Sequence, residues 1–272
     1  MSARTEDSRF TDSISDLYES RLVPLLFAPY APEIVARLPH GELGRVLEIA
    51  AGTGVVTRSL ASALPRSVEI VATDLNRTML ETAAAAGTSR PVEWRQADAM
   101  NLPFDDASFD AVVCQFGAMF FPDKPKAFAE MRRVLRPRGT LVFSVWDRIE
   151  ENELADVIGE ALRTLFPADP PEFMRRTPHG YFDRASIEAD VAGGGFTESP
   201  RFETLAKRSR APSARLAALA YCQGTPWRTE IETRDPSGLE RATEIATAAI
   251  IRQFGHGPVD AKIQAHLVSV VK

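Results

Sequence analysis

Three carboxylates stand at or near the ends of apolar runs: Glu48 in "RVLEIA" (45–50), Asp74 in "VEIVATD" (68–74) and Asp98 in "VEWRQAD" (92–98). Between the first two lies "AGTG", which holds Gly52 and Gly54. Glycines lack a Cβ, so a ligand can approach the backbone closely where a strand turns into a helix. A glycine pair in such a loop can also serve turn geometry alone, and more is needed. Asp74 supplies it: a carboxylate about 20 residues past a glycine turn accepts hydrogen bonds from both hydroxyls of a ribose. Asp98 is followed by Leu102, Pro103 and Phe104. A carboxylate there can accept from an exocyclic adenine amine while apolar neighbours sandwich the ring, although an aspartate in a turn is the plainer reading of Asp98 by itself.

A nicotinamide dinucleotide and S-adenosylmethionine both carry an adenine and a ribose. Dinucleotide sites use a third glycine beside the pyrophosphate, and the matching position here is Thr57. Glu48 would repel a pyrophosphate, whereas it suits a ligand bearing an ammonium group, directly or through water.

Strand-like and helix-like segments alternate around these residues. Strands are expected at 45–50, 68–74, 92–98, 109–117 and 139–146, with helices at 55–65, 76–87 and 124–137. Such alternation means a parallel sheet covered on both faces, a doubly wound α/β fold that binds ligands at the carboxyl ends of its strands.

These motifs together resemble the class I S-adenosylmethionine-dependent methyltransferases, and within them the type 11 group similar to the ubiquinone and menaquinone biosynthesis methyltransferases. The resemblance rests on "VLEIAAGTGVVT", "VATDLNRTML", "QADAMNLPFDDASFDAVVCQFGAMFFPD" and "AFAEMRRVLRPRGTLVFSVW", over roughly residues 14–147. It implies a Rossmann-like sheet of seven mostly parallel strands, the last antiparallel, with N-terminal helices and a helical cap. It further implies that Glu48, Gly52 and Gly54 line the methionine end, with Ala50 and Thr53 of the same loop also binding the cofactor. Asp74 would bind the ribose, Leu75 and Met79 would pack near the adenine, Asp98 and Ala99 would flank its amine, and Gln115 and Phe116 would lie near the sulfonium. The implied activity is methyl transfer from S-adenosyl-L-methionine, leaving S-adenosyl-L-homocysteine, to a small molecule at O, N or C.

The sulfonium donor needs alignment more than a catalytic group, and a general base is required only where the acceptor must lose a proton. The chain reads as a single domain over 1–272: an N-terminal helical cover (1–40, with helices over 14–38), the cofactor core (41–147), and helices with a substrate-side loop (148–200). A helical cap insertion (210–260) with helices at 212–223 and 237–254 then divides strands at 201–209 and 262–272. In the covering segments Tyr18 is a candidate for closing over the cofactor, and His179 and Tyr181 in "TPHGYFD" are candidates for acting on a proton. Tyr18 is equally readable as an aromatic packing one helix onto another, and for His179 and Tyr181 a surface or hydrogen-bonded structural residue is the plainer reading. The stripe "RRVLRPR" (132–138) reads as a solvated helix end.

With 272 residues, 44% hydrophobic and 25% charged, the chain can bury a large core. A net charge of −5 offers no field for a nucleic-acid backbone. Cys114 and Cys222 are too few for a disulfide framework, and His40, His256 and His266 have no metal-ligand spacing, so no metal is expected. No apolar run reaches the length of a membrane span and "MSARTEDSRF" lacks a signal-peptide core, which places the protein in the cytoplasm. A cap rich in Ala, Leu, Ile and Phe suggests an apolar or aromatic acceptor, and an exposed cap could pair with a second copy as a homodimer. Two other functions remain open from sequence: an NAD(P)-dependent oxidoreductase, and a protein that binds S-adenosylmethionine without turnover.

Overall fold

In the computed structural model the described residues are 18–39 and 43–272. Residues 14–17 of the expected N-terminal helix, and His40, lie outside them. Seven strands form one sheet: β1 (Arg45–Ile49), β2 (Glu69–Asp74), β3 (Glu93–Gln96), β4 (Phe109–Gln115), β5 (Leu135–Trp146), β6 (Arg201–Ala211) and β7 (Val259–Val271). Their order is β3-β2-β1-β4-β5-β7-β6, with β1 to β5 parallel to one another. Strand β7 runs against β5: Arg138 N–H donates to the Lys272 carbonyl and, at the far end, Asp147 N–H donates to that of Gln264. The expected sheet, seven strands with one antiparallel, is the one found. Chain order turns back between β1 and β4, the switch point at which such sheets hold ligands.

Local chemistry sets the helices. Helix α2 (Val55–Ala63) starts from Gly54, held left-handed at φ 84°. Asn76 caps α3 (Arg77–Ala86) by accepting from Thr78 N–H, and Gly87 at φ 77° ends it. Asp123 caps α4 (Lys124–Val134) and Asp183 caps α7 (Arg184–Gly193) in the same way. The N-terminal segment, expected as helices over 14–38, is helical in two pieces, the first of an unexpected kind. It is a π-helix, Tyr18–Phe27, followed by the short α1, Ala31–Val35. Pro24 sits inside the π-helix, where it has no N–H to donate, and Ala28 N–H reaches back five residues to the Val23 carbonyl. Two short helices went unexpected: α6 (Phe173–Arg176) and α9 (Trp227–Arg234).

The chain divides into two compact units. One comprises the described residues up to Pro29, Trp146–Gly180 and Ala206–Gln264. It packs α5 (Glu153–Leu165), α8 (Ala214–Gly224) and α10 (Leu239–Phe254) together, with the π-helix against α8. The other comprises Tyr30–Val145, Tyr181–Leu205 and Ala265–Lys272, and holds β1 to β4 and nearly all of β5. Strands β6 and β7 contribute residues to both.

Candidate functional site

In the second unit the carboxyl end of β1 runs into a backbone that ordinary residues avoid. Ala50 has φ 54° although it carries a Cβ, and Gly52 and Gly54 follow at 55° and 84°. Holding a non-glycine residue there costs on the order of 1–2 kcal/mol, strain of a kind that gathers at ligand sites. The neighbouring strand repeats it, since Phe116 just past β4 has φ 54°. Phe116 N–H is held by Ser144, donating to both its carbonyl (3.1 Å) and its hydroxyl (3.2 Å). The two turns touch: a Cβ on Gly117 would stand 2.5 Å from that of Ala50 and 2.7 Å from Cys114 Sγ. A Cβ on Gly54 would meet Trp94 at 3.0 Å and Ala83 at 3.1 Å, so Gly54 also provides the close packing that a dinucleotide loop assigns to its third glycine.

Asp74 ties this turn to β2. Its Oδ2 accepts from Gly52 N–H and its Oδ1 from Asn76 N–H, both at 2.8 Å. Each oxygen retains a second lone pair, so the carboxylate is oriented and can still accept from a ribose. Burial raises its pKa, against the lowering effect of these backbone donors. Past β2, Leu75 is 58% exposed, while Met79 on α3 is buried. Ala97 N–H donates to the Asp74 carbonyl, which brings the Asp98–Ala99 turn beside the same strand end. Asp98 Oδ1 accepts from Met100 N–H at 2.9 Å, the turn geometry of the plainer reading.

Glu48 lies beneath the turn at 2% exposure, and its Oε2 accepts from the Thr57 hydroxyl at 2.5 Å. Burial pushes its carboxyl from 4.5 up to about 8, so without a cation beside it Glu48 is largely protonated at neutral pH. Thr53 is buried in the turn, and its hydroxyl finds no hydrogen-bond partner among the described residues. A buried hydroxyl left so is costly, and here it stands amid backbone already bent to admit a ligand. The donor set fits S-adenosylmethionine: a nest of left-handed residues, an orphan hydroxyl, and a carboxylate responsive to an ammonium group.

Structure thus joins Glu48, Ala50, Gly52, Thr53, Gly54, Asp74, Leu75, Asp98 and Ala99 around the ends of β1, β2 and β3, with Gln115 and Phe116 at the adjoining end of β4. Sequence reasoning missed Thr57, Trp94, Gly117 and Ser144, which shape the turns without bearing a charge. In the basic stripe Arg136 and Arg138 are exposed, as expected. Arg133 is half-buried and donates to the Leu102 and Phe104 carbonyls, Glu130 and Asp106, pinning the loop after Asp98 to α4.

The remaining candidates fall otherwise. Tyr181, in the second unit, donates to Asp190 at 2.8 Å beneath the Lys124 ammonium, and burial drives its pKa upward. Its hydroxyl is therefore committed, and a role in proton transfer does not fit it. His179 belongs to the first unit, and its Nδ1 lies 2.8 Å from the Asp147 carbonyl oxygen. That oxygen only accepts, so Nδ1 carries the proton and Nε2 the lone pair. Burial pulls the ring down to about 4 and keeps it neutral. Tyr18 stacks on Phe27 at 5.1 Å; Phe27 meets Trp146 at 6.2 Å, and Trp146 meets His179 at 6.0 Å, a row of four rings within the first unit. Among the described residues no group of three His, Cys, Asp or Glu could hold a metal ion, and no helix is long and apolar enough to cross a membrane. Burial raises Cys114 and Cys222 to about 12, so both stay thiols.

Residues 47–143 match the family model described as a methyltransferase domain. An uncharacterised protein of Mycobacterium tuberculosis is 31% identical over 174 residues, 63% of this chain and 60% of that protein. The ubiquinone/menaquinone biosynthesis C-methyltransferase of Pseudomonas paraeruginosa is 41% identical over 165 residues, 56% of this chain and 64% of that enzyme. The matched regions thus span about three-fifths of these relatives' length. Haemonchus contortus phosphoethanolamine N-methyltransferase 2, solved with S-adenosyl-L-methionine, superposes with a TM-score of 0.61. It is 18% identical and the match covers 99% of this chain and 60% of that one, a likeness of fold.

Proposed function

We propose that the protein transfers a methyl group from S-adenosyl-L-methionine to a small apolar or aromatic acceptor. The observation that carries this is the turn after β1, with Ala50 left-handed, Thr53 buried and unsatisfied, and Asp74 clamped to Gly52. When bound, the cofactor supplies a methyl group on a positively charged sulfur, activated toward displacement. Asp74 accepts from the ribose hydroxyls, the Asp98–Ala99 turn receives the adenine, and Glu48 faces the ammonium group through the turn.

A flat apolar or aromatic acceptor is favoured by the row of rings formed by Tyr18, Phe27, Trp146 and His179. Where the acceptor must lose a proton, His179 Nε2 takes it, with Nδ1–H held on the Asp147 carbonyl. His179→Asn keeps a donor for that carbonyl and removes the base. It should lower kcat by roughly 10²–10⁴-fold with the KM for cofactor unchanged. An unchanged kcat would mean that the acceptor reacts without losing a proton to His179. Pairing of two copies belongs to the same reading and is checked by sedimentation velocity.

The test of the cofactor is calorimetric titration with S-adenosylmethionine and, separately, NADH. Micromolar binding of the first is expected, weakened about 10–150-fold in Asp74→Asn, the equivalent of roughly 1.5–3 kcal/mol for hydrogen bonds to a charged group. Binding of NADH alone would overturn the proposal in favour of an oxidoreductase. Cofactor binding with no transfer to any member of an aromatic acceptor panel would leave a binding protein.

A further inference from the structure

Tyr30 joins two strands that are not neighbours. It is fully buried immediately before α1, and its hydroxyl donates to the Leu205 carbonyl of β6 at 3.0 Å. Its ring meets that of Phe116, just past β4, at 5.4 Å and 85°, an edge-on contact. Strands β5 and β7 lie between β4 and β6, so this one side chain spans from the edge of the sheet to its switch point. A second tie fixes the helix beside it. Arg37, beyond the end of α1, pairs with Glu203 of β6 at 2.8 Å and with Glu33 at 2.9 Å. All of these residues belong to the second unit.

Phe116 is a residue whose ring needs holding. Its backbone is left-handed at φ 54° and its N–H is spent on Ser144, which sets the main chain but leaves the side chain to its neighbours. The turn it opens presses on the cofactor turn, since a Cβ on Gly117 would stand only 2.5 Å from that of Ala50. A shift of the Phe116 ring is therefore felt where the β1 and β4 turns meet.

We propose that Tyr30 is a positioning residue for methyl transfer: anchored on β6, it fixes the ring of Phe116, and that ring fixes where the sulfur-bound methyl points. The inference rests on the cofactor reading, which lays the adenine at the turn past β3, the ribose at Asp74 on β2 and the methionine end at the turn past β1. Strand β4 comes next in that order. The sulfur joins the ribose to the methionine chain, so it lies over the β1 turn, and Phe116 borders it from the touching turn past β4. Transfer needs nucleophile, methyl carbon and sulfur in line, and a misplacement of about 1 Å costs on the order of 10²-fold in rate. Affinity comes from Asp74, Thr53 and the Asp98–Ala99 turn at the other strand ends, so Tyr30 acts on direction rather than on affinity.

The experiment uses S-adenosylmethionine labelled with ¹³C at the transferred methyl, whose bound resonance is shifted by a ring beside it. Phe116→Leu removes that ring and should move the resonance. Tyr30→Phe keeps the tyrosine's ring and loses its anchor, and Tyr30→Leu loses both. Calorimetry on the two Tyr30 variants should give affinities within about threefold of wild type, while the bound methyl resonance moves in Tyr30→Phe and further in Tyr30→Leu. A tyrosine that served packing alone would leave that resonance where it is. An unmoved resonance in Phe116→Leu or in Tyr30→Phe overturns the proposal, and Tyr30→Phe decides even where Tyr30→Leu fails to fold. Wild-type protein that binds no S-adenosylmethionine in the calorimeter would instead fail the cofactor reading, and this inference with it.

Discussion

Glu48 shows how a single residue sets a pH dependence. Its carboxyl moves from 4.5 to about 8 on folding, chiefly through burial. A raised acid pKa means that its contribution to stability is complete below 4.5 and is lost as pH climbs through 8. Glu48→Gln keeps an acceptor for the Thr57 hydroxyl and cannot ionise. The variant should therefore melt progressively higher than wild type between pH 5 and pH 8.5, by roughly 2–4 °C for each kcal/mol recovered, in thermal scans without ligand. A difference constant across that range would show that Glu48 does not titrate in it. The position of Glu48 was readable from its place in a strand before a glycine turn. Its protonation was not, because the depth of burial depends on β2 and β4 closing on either side.

At the scale of elements, the loop after Asp98 depends on Arg133 of α4. Its guanidinium reaches two carbonyls of that loop and two carboxylates, and the carboxylates raise its pKa. Arg133→Met keeps the stem and removes five hydrogen bonds, so it should cost about 1–3 kcal/mol in urea unfolding and weaken S-adenosylhomocysteine binding about tenfold. Unchanged affinity would sever this loop from the adenine. The long elements were legible because apolar residues recur at strand or helix spacing between clear caps, as at Asn76, Asp123 and Gly87. Helix α9 escaped because "WRTEIETR" buries only Trp227 and Ile231, leaving too thin a stripe to read. The π-helix escaped because an apolar run reads simply as helix, and nothing in it distinguishes a hydrogen bond reaching back five residues from the usual four. The cofactor turn was legible from its glycines, while the strain at Ala50 and Phe116 was invisible because alanine and phenylalanine ordinarily signal neither.

On the scale of the whole molecule, both units are assembled from separated stretches of sequence. The second unit closes with Ala265–Lys272, far along the chain from its other strands. There Leu267, Val268 and Val270 are buried, and Lys272 pairs with Gly139 through its backbone and with Leu135 through Nζ. Burying each such aliphatic side chain contributes about 1.5–3 kcal/mol, so three rival a net stability of roughly 5–15 kcal/mol. Truncation after Gln264 should abolish cooperative unfolding, measured by circular dichroism during heating. A truncated chain that still melts in one sharp transition would show that the sheet does not depend on β7.

The same arrangement bears on how the protein is made. Strand β5 pairs with β7, yet the 118 residues from Asp147 to Gln264 separate their partners in this unit. At about 5–20 residues per second, a ribosome needs roughly 6–24 s to cross that stretch. For that interval the nascent sheet presents the bare edge of β5, and a chaperone or another nascent chain meets it before its own partner arrives.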